Sequence, residues 1–171
     1  MNKLNIVGIG PGDREYLTLN AVETIEKSDV LVGSKRSLEL FDYLDAQMVV
    51  LEPRDIPNTV KKAVSYLDDG LNVSVLSTGD PGFSGMLKTI QRLSPNTKLN
   101  VIPGISSVQL ASAKVEIPWD SANLITIHGG KAPTKDLLDK IDNNVPNIIL
   151  PNRHISELAE YLIDNGFRLP S

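Results

Sequence analysis

The 171-residue chain is 41% hydrophobic and 22% charged, enough to build one ordinary domain or two small ones sharing a core. Its formal charge of -4 disfavours nucleic acid as a partner, although a few local cations suffice for an anionic small ligand. It has no cysteine, which excludes disulfides, zinc–thiolate sites and a cysteine nucleophile.

No apolar run reaches the roughly 18 residues of a membrane span. The opening stretch MNKLNIVGIG runs directly into a strand pattern, without the apolar region and cleavage site of a signal peptide. The expected location is therefore the cytoplasm, with no membrane partner.

Short apolar runs alternate with amphipathic stretches from end to end. Residues 3–9 read as a buried strand. A helix over 18–27 places Leu19, Val22 and Ile25 on one face. A short strand at 29–32, a helix at 34–44 and a strand at 48–51 follow. The helix at 58–69 carries Val60, Ala63, Val64 and Leu67 and ends at Gly70. Next come a strand at 72–76, a helix at 85–93, a strand at 99–102 and a helix at 106–113.

The texture then changes. Residues 114–121 contain Pro118 and the single tryptophan, Trp119, and read as a connection between lobes. A second alternation follows: strand 124–128, helix 134–141, strand 147–150 and helix 155–165, with Gly166 as its C-cap. Strands separated by helices predict an α/β fold with mostly parallel sheets and right-handed crossovers. The division expected is an N-terminal lobe at 1–114, a linker at 115–121 and a C-terminal lobe at 122–171. Two parallel strands are poorly protected, so the second lobe is expected to be incomplete.

Glycine-rich turns stand at the carboxyl ends of predicted strands, the edge where open α/β sheets bind ligands. The first, Gly8-Ile9-Gly10-Pro11-Gly12-Asp13, lacks the third glycine of the dinucleotide fingerprint, and Pro11 removes a donor that a phosphate cradle would use. A plain strand-to-helix turn is the alternative. The second, residues 77–85 (STGDPGFSG), packs three glycines and a proline into nine residues, and Asp80 offers an acceptor for a ligand amine or hydroxyl. In the third, a Pro103-Gly104 turn precedes Ser106 and Ser107, either of which serves equally as a helix cap.

His128, beside Gly129, Gly130 and Lys131, is more readily structural than functional, and His154 still more so. No G-x-S-x-G, H-E-x-x-H or P-loop is present, and no catalytic residue is assigned. Nor is a metal site expected. Turns of this kind suit the positioning of two bound molecules better than covalent catalysis.

The words VGIGPGD, STGDPGFSG, VIPGISSVQLA and IPWD, in this order and spacing, resemble the tetrapyrrole (corrin/porphyrin) methylases across nearly the whole chain. Val32-Gly33-Ser34-Lys35-Arg36 with Leu38, the GDPGF form of the second turn and Ile127-His128-Gly129 are similar to the C5-methyltransferases of the corrin pathway.

The resemblance implies two α/β lobes around a cleft that holds S-adenosylmethionine, with a homodimeric assembly. Cofactor contacts would come from Gly79, Asp80, Phe83, Ile105, Ser106, Ser107, His128 and Leu150. Gly8, Gly10 and Pro11 would line the substrate trough. Arg14, Lys35, Arg36 and Lys131 would meet the carboxylates of a cobalt-precorrin, since guanidinium and ammonium groups bind carboxylates well. The activity implied is methyl transfer to C5 of a late corrin precursor. Alternatives are a uroporphyrinogen methylase, a diphthine synthase, or a non-catalytic domain that binds S-adenosylmethionine.

Overall fold

The computed structural model describes residues 3–127, 135–151 and 155–167. By its contacts the chain divides into two compact units, Met1–Ser107 and Val108–Ser171.

The first unit is a five-stranded parallel sheet in the order β3-β2-β4-β1-β5. Its strands are β1 (Leu4–Gly8), β2 (Val30–Gly33), β3 (Gln47–Val50), β4 (Val73–Ser77) and β5 (Leu99–Ile102). The helices between them are α1 (Leu19–Glu26), α2 (Lys35–Glu39), α3 (Ile56–Asp68) and α4 (Leu87–Leu93). β1, β2 and β4 are almost wholly buried, as expected of interior parallel strands covered on both faces.

Side-chain alternation along the strands sorts the core into two layers. Leu4 and Ile6, Val30 and Val32, and Val73 and Val75 face Val60, Ala63 and Leu67 of α3 and Ile90 of α4. Val7, Leu31, Leu76 and Ile102 face Ala21 and Ile25 of α1 and Leu38 of α2, together with Phe41. Two buried serines interrupt this second layer: Ser74 and Ser28 share a 2.7 Å hydrogen bond, and Ser28 also donates to the Thr24 carbonyl.

Two of the helices start at side-chain caps. Thr18 Oγ1 accepts from the Ala21 amide at α1, and Ser34 Oγ accepts from the Ser37 amide at α2. α3 begins two residues earlier than the periodicity predicts because Pro57 sits in its first turn, where no donor is needed. Gly70 follows α3 with a φ of +89°, as a C-cap requires.

The helix expected over 34–44 is shorter, stopping at Glu39. The Phe41 amide turns back to the Leu38 carbonyl, and a partner outside the segment holds the turn that follows. Arg14 donates Nε and Nη2 hydrogen bonds to the Leu40 carbonyl, the acceptor that Leu44 would use in a continued helix. The Leu44 amide bonds to Phe41 instead, in a tighter turn.

The second unit carries α5 (Ser107–Lys114, all but its first residue), β6 (Asn123–Thr126), α6 (Lys135–Leu138), β7 (Asn147–Leu150) and α7 (Ile155–Asp164). β6 and β7 pair in parallel. Ile125, Leu137, Leu158 and Leu162 form its core. Asn147 ties the connection between α6 and β7 together: its amide donates to the Asp142 and Val145 carbonyls, and its oxygen accepts from Asn123 and from the Asp142 backbone.

Candidate ligand site at the sheet's carboxyl edge

The connection leaving β1 runs through α1 on one face of the sheet, while that leaving β4 runs through α4 on the other. β1 and β4 are neighbours. Their carboxyl ends therefore flank a topological switch point, the place where an open α/β sheet leaves a crevice for a ligand. Both longer glycine turns begin there.

The two turns are joined directly. The Gly79 amide donates to the Gly10 carbonyl at 2.7 Å, and the pair forms an isolated antiparallel bridge. Both glycines have φ of +69°, a left-handed conformation that L side chains rarely adopt.

The third turn packs onto the same spot. A methyl group built on Gly8 would lie 2.5 Å from the Gly104 nitrogen and 2.8 Å from the Gly79 oxygen. One built on Gly104 would press on the Gly79 oxygen and lie 2.7 Å from the Gly8 carbonyl carbon. The three backbones thus touch, and only glycine permits it.

The Asp80 carboxylate adds polar ties, Oδ1 accepting from the Gly82 amide at 2.8 Å and Oδ2 from the Gly104 amide at 3.2 Å. The rest of the second turn is held by its own chain: the Leu87 amide donates to the Pro81 carbonyl and the Met86 amide to Ser77 Oγ. Ser77 is buried at the end of β4, and reading the sequence did not single it out. Its sequence signal is its place as the first residue of the second turn.

Among the residues anticipated from sequence, Gly8, Gly10, Pro11, Gly79, Asp80, Phe83, Ile105 and Ser106 all belong to these three turns or directly adjoin them. Phe83 and Ile105 are half-buried and Ser106 is buried beside Gly79, its Cα 3.7 Å from a methyl built there. Ser107 opens α5.

Arg36, exposed on α2, lays its guanidinium over the first turn, Nη2, Cζ and Nε lying 3.4, 3.7 and 3.8 Å from a methyl built on Gly12. Lys35 is exposed at the start of α2. Arg14 faces elsewhere: besides holding Leu40, it stacks 4.5 Å from the Tyr43 ring centroid. Leu150 closes β7 in the second unit. His128 and Lys131, like His154, lie outside the described residues. Among the described residues no group of three His, Asp or Glu side chains gathers to hold a metal ion.

Beside Gly10, Tyr16 closes the far side of the first turn, its Cβ and carbonyl oxygen each 3.0 Å from a methyl built on that glycine. A hydrogen bond from its phenol to Glu15 pushes Tyr16 above the ordinary tyrosine range. Partial burial and the negative charges of Glu15 and Asp13 act in the same direction.

A doubly wound sheet with glycine backbones clustered at its switch point defines a small-molecule-binding α/β domain. Its turns are built for close backbone approach, not for gripping a polyphosphate: Pro11 has no amide to give, and the central side chain, Asp80, is an acid.

Tetrapyrrole (Corrin/Porphyrin) Methylases is the family that matches, over residues 3–170. The chain belongs to that family. It is 43% identical over 162 residues to a probable cobalt-precorrin-7 C(5)-methyltransferase of Methanocaldococcus jannaschii, covering 94% of this chain and 76% of that one. It is 30% identical over 143 residues to a probable cobalt-factor III C(17)-methyltransferase of Methanothermobacter thermautotrophicus, covering 81% of this chain and only 40% of that longer relative. Among solved structures, a precorrin-6Y methylase of cobalamin biosynthesis from Archaeoglobus fulgidus superimposes with a TM-score of 0.70 at 27% identity, over 90% of this chain and 75% of that one.

Proposed function

We propose that the chain is an S-adenosylmethionine-dependent C-methyltransferase that methylates C5 of a late cobalt-precorrin in cobalamin biosynthesis. The observation that carries this reading is the difference in likeness within one family. Identity is 43% to a relative named for C5 and 30% to one named for C17. The meeting of the three glycine turns at the switch point supports it from the side of geometry.

The residues present suit the cofactor. A zwitterionic nucleoside carrying a sulfonium needs backbone donors and acceptors at close range and no phosphate clamp. The turns at 8–12, 78–86 and 103–106 supply the first, and Pro11 argues against the second. Gly79, Phe83, Ile105, Ser106 and Ser107 would hold it, with Asp80 tying two of these turns together. When bound, S-adenosylmethionine supplies a methyl group already activated by the sulfonium.

The protein's share is then alignment and exclusion of water. The nucleophile is the electron-rich C5 of the macrocycle, so no serine, cysteine or histidine nucleophile is needed. Arg36, exposed over the first turn, and Lys35, exposed at the start of α2, meet substrate carboxylates. The chain works as a homodimer, as the family resemblance implies, and in the cytoplasm. Among the described residues no helix is long and apolar enough to cross a membrane.

The test is methyl transfer from isotopically labelled S-adenosylmethionine to cobalt-precorrin-7, with the new methyl located by NMR. Label at C5 is the expected result. Transfer only to a different carbon, only to an earlier tetrapyrrole or only to elongation factor overturns the assignment. Sedimentation equilibrium tests the dimer.

A further inference from the structure

The carboxylate of Asp80 stands at the centre of the candidate site, where a charged group is readily read as a ligand contact. Its two oxygens are engaged otherwise. Oδ1 accepts from the Gly82 amide, two residues ahead in the same turn, and Oδ2 accepts from the Gly104 amide, 24 residues away in the turn after β5. One side chain thereby joins the turns that follow β4 and β5.

From this we infer that Asp80 is a positioning residue: its carboxylate straps the second and third glycine turns into the spacing the cofactor requires, and it acts on the ligand through their backbones. The inference rests on the reading of this crevice as a nucleoside site.

The chemistry explains why the residue is aspartate. Both partners are N–H donors, so the side chain must present two acceptors at once. Asparagine presents one and turns its NH₂ toward the other amide, leaving two donors facing each other. Glutamate keeps both acceptors but stands one methylene further out. Contacts already bring Gly8, Gly79 and Gly104 together, but a methyl built on Gly82 meets only Asp80 Oδ1, at 3.1 Å. The strap therefore places the Gly82 end of the turn.

Asp80→Asn is compared with the wild-type chain by calorimetry, at a temperature where both are folded, using S-adenosylhomocysteine, 5′-methylthioadenosine and adenosine. The strap predicts an equal loss of affinity, about tenfold, for all three, because the defect lies in the crevice and not in one contact. A loss confined to S-adenosylhomocysteine means that Asp80 grips the amino-acid moiety, and overturns the proposal. Unchanged affinity for all three also overturns it, whether or not the melting temperature falls. If wild type binds none of the three, the nucleoside reading itself fails, a result distinct from failure of the strap.

Amide hydrogen exchange on the wild-type chain covers the case in which the variant does not fold. Gly82 and Gly104 should both be protected relative to exposed loop amides, and exchange of both at unprotected rates refutes the strap.

Discussion

Replacing Gly104 with alanine tests the contact on which the site is built. The added methyl would press on the Gly79 carbonyl oxygen and stand 2.7 and 2.8 Å from the Gly8 carbonyl carbon and Cα. All three neighbours are backbone, so no side chain can swing away. Carbon atoms prefer about 3.5–4.0 Å, so the turns after β1 and β5 must part by ~1 Å. Overpacking of this kind costs about 2–3 kcal/mol. For a chain of this size that lowers the thermal midpoint by about 4–12 °C. The displacement falls at the ligand crevice, so calorimetry with S-adenosylhomocysteine should also show a loss of affinity.

Gly70→Ala is the control. Nothing lies within 4 Å of a methyl at that position, so it carries only the strain of a φ of +89°. It should melt about 2–4 °C lower, as expected for ~1 kcal/mol, and bind the nucleoside normally. The reasoning is refuted if Gly104→Ala melts with the wild type and binds S-adenosylhomocysteine equally well.

Arg36→Ala should raise the KM for the precorrin about three- to tenfold, the effect of a solvent-accessible charge pair, with S-adenosylhomocysteine affinity unchanged. Equal substrate KM in steady-state kinetics would remove Arg36 from the site. Arg14→Ala loses the bonds to Leu40 and the stacking on Tyr43, so a fall of about 2–4 °C in the midpoint is expected for ~1 kcal/mol. A collapse of substrate affinity at an unchanged midpoint would instead make Arg14 a direct contact.

Tyr16 should ionise above the ordinary 10.0, and Glu15→Gln should bring it down. Because the folded value is the raised one, whatever stability this gives is present below pH 10 and is lost as pH climbs through the folded value. Ultraviolet difference titration of wild type against Tyr16→Phe reads it directly. A Tyr16 that titrates at or below the ordinary value contradicts the Glu15 hydrogen bond.

Much of the α/β framework is legible along the chain because the signals are local. Predicted strands at 99–102 and 147–150 occupy the same residues in the structure, and the strand at 3–9 contains β1. The start of α1 follows from its Thr18 cap and the end of α3 from Gly70, both dictated by neighbouring backbone groups. Failures came from distant partners. Nothing within 34–44 announces that an arginine 26 residues upstream will take the Leu40 carbonyl. Ser77 stands at the head of the second turn in the sequence, but nothing local announces that the Met86 amide will reach it across nine residues.

The sequence by itself determined that the chain is an alternation of strands and helices with glycine bends at three strand ends, because periodicity, caps and turn chemistry act within a few residues. It also carried the family words. Only the tertiary structure decided that β4 inserts between β1 and β2, and that the helices leaving β1 and β4 depart to opposite faces. Strand order depends on which apolar faces pack together across scores of residues, and no local pattern encodes it. That choice brings bends 25 to 96 residues apart into backbone contact and turns three separate loops into one site.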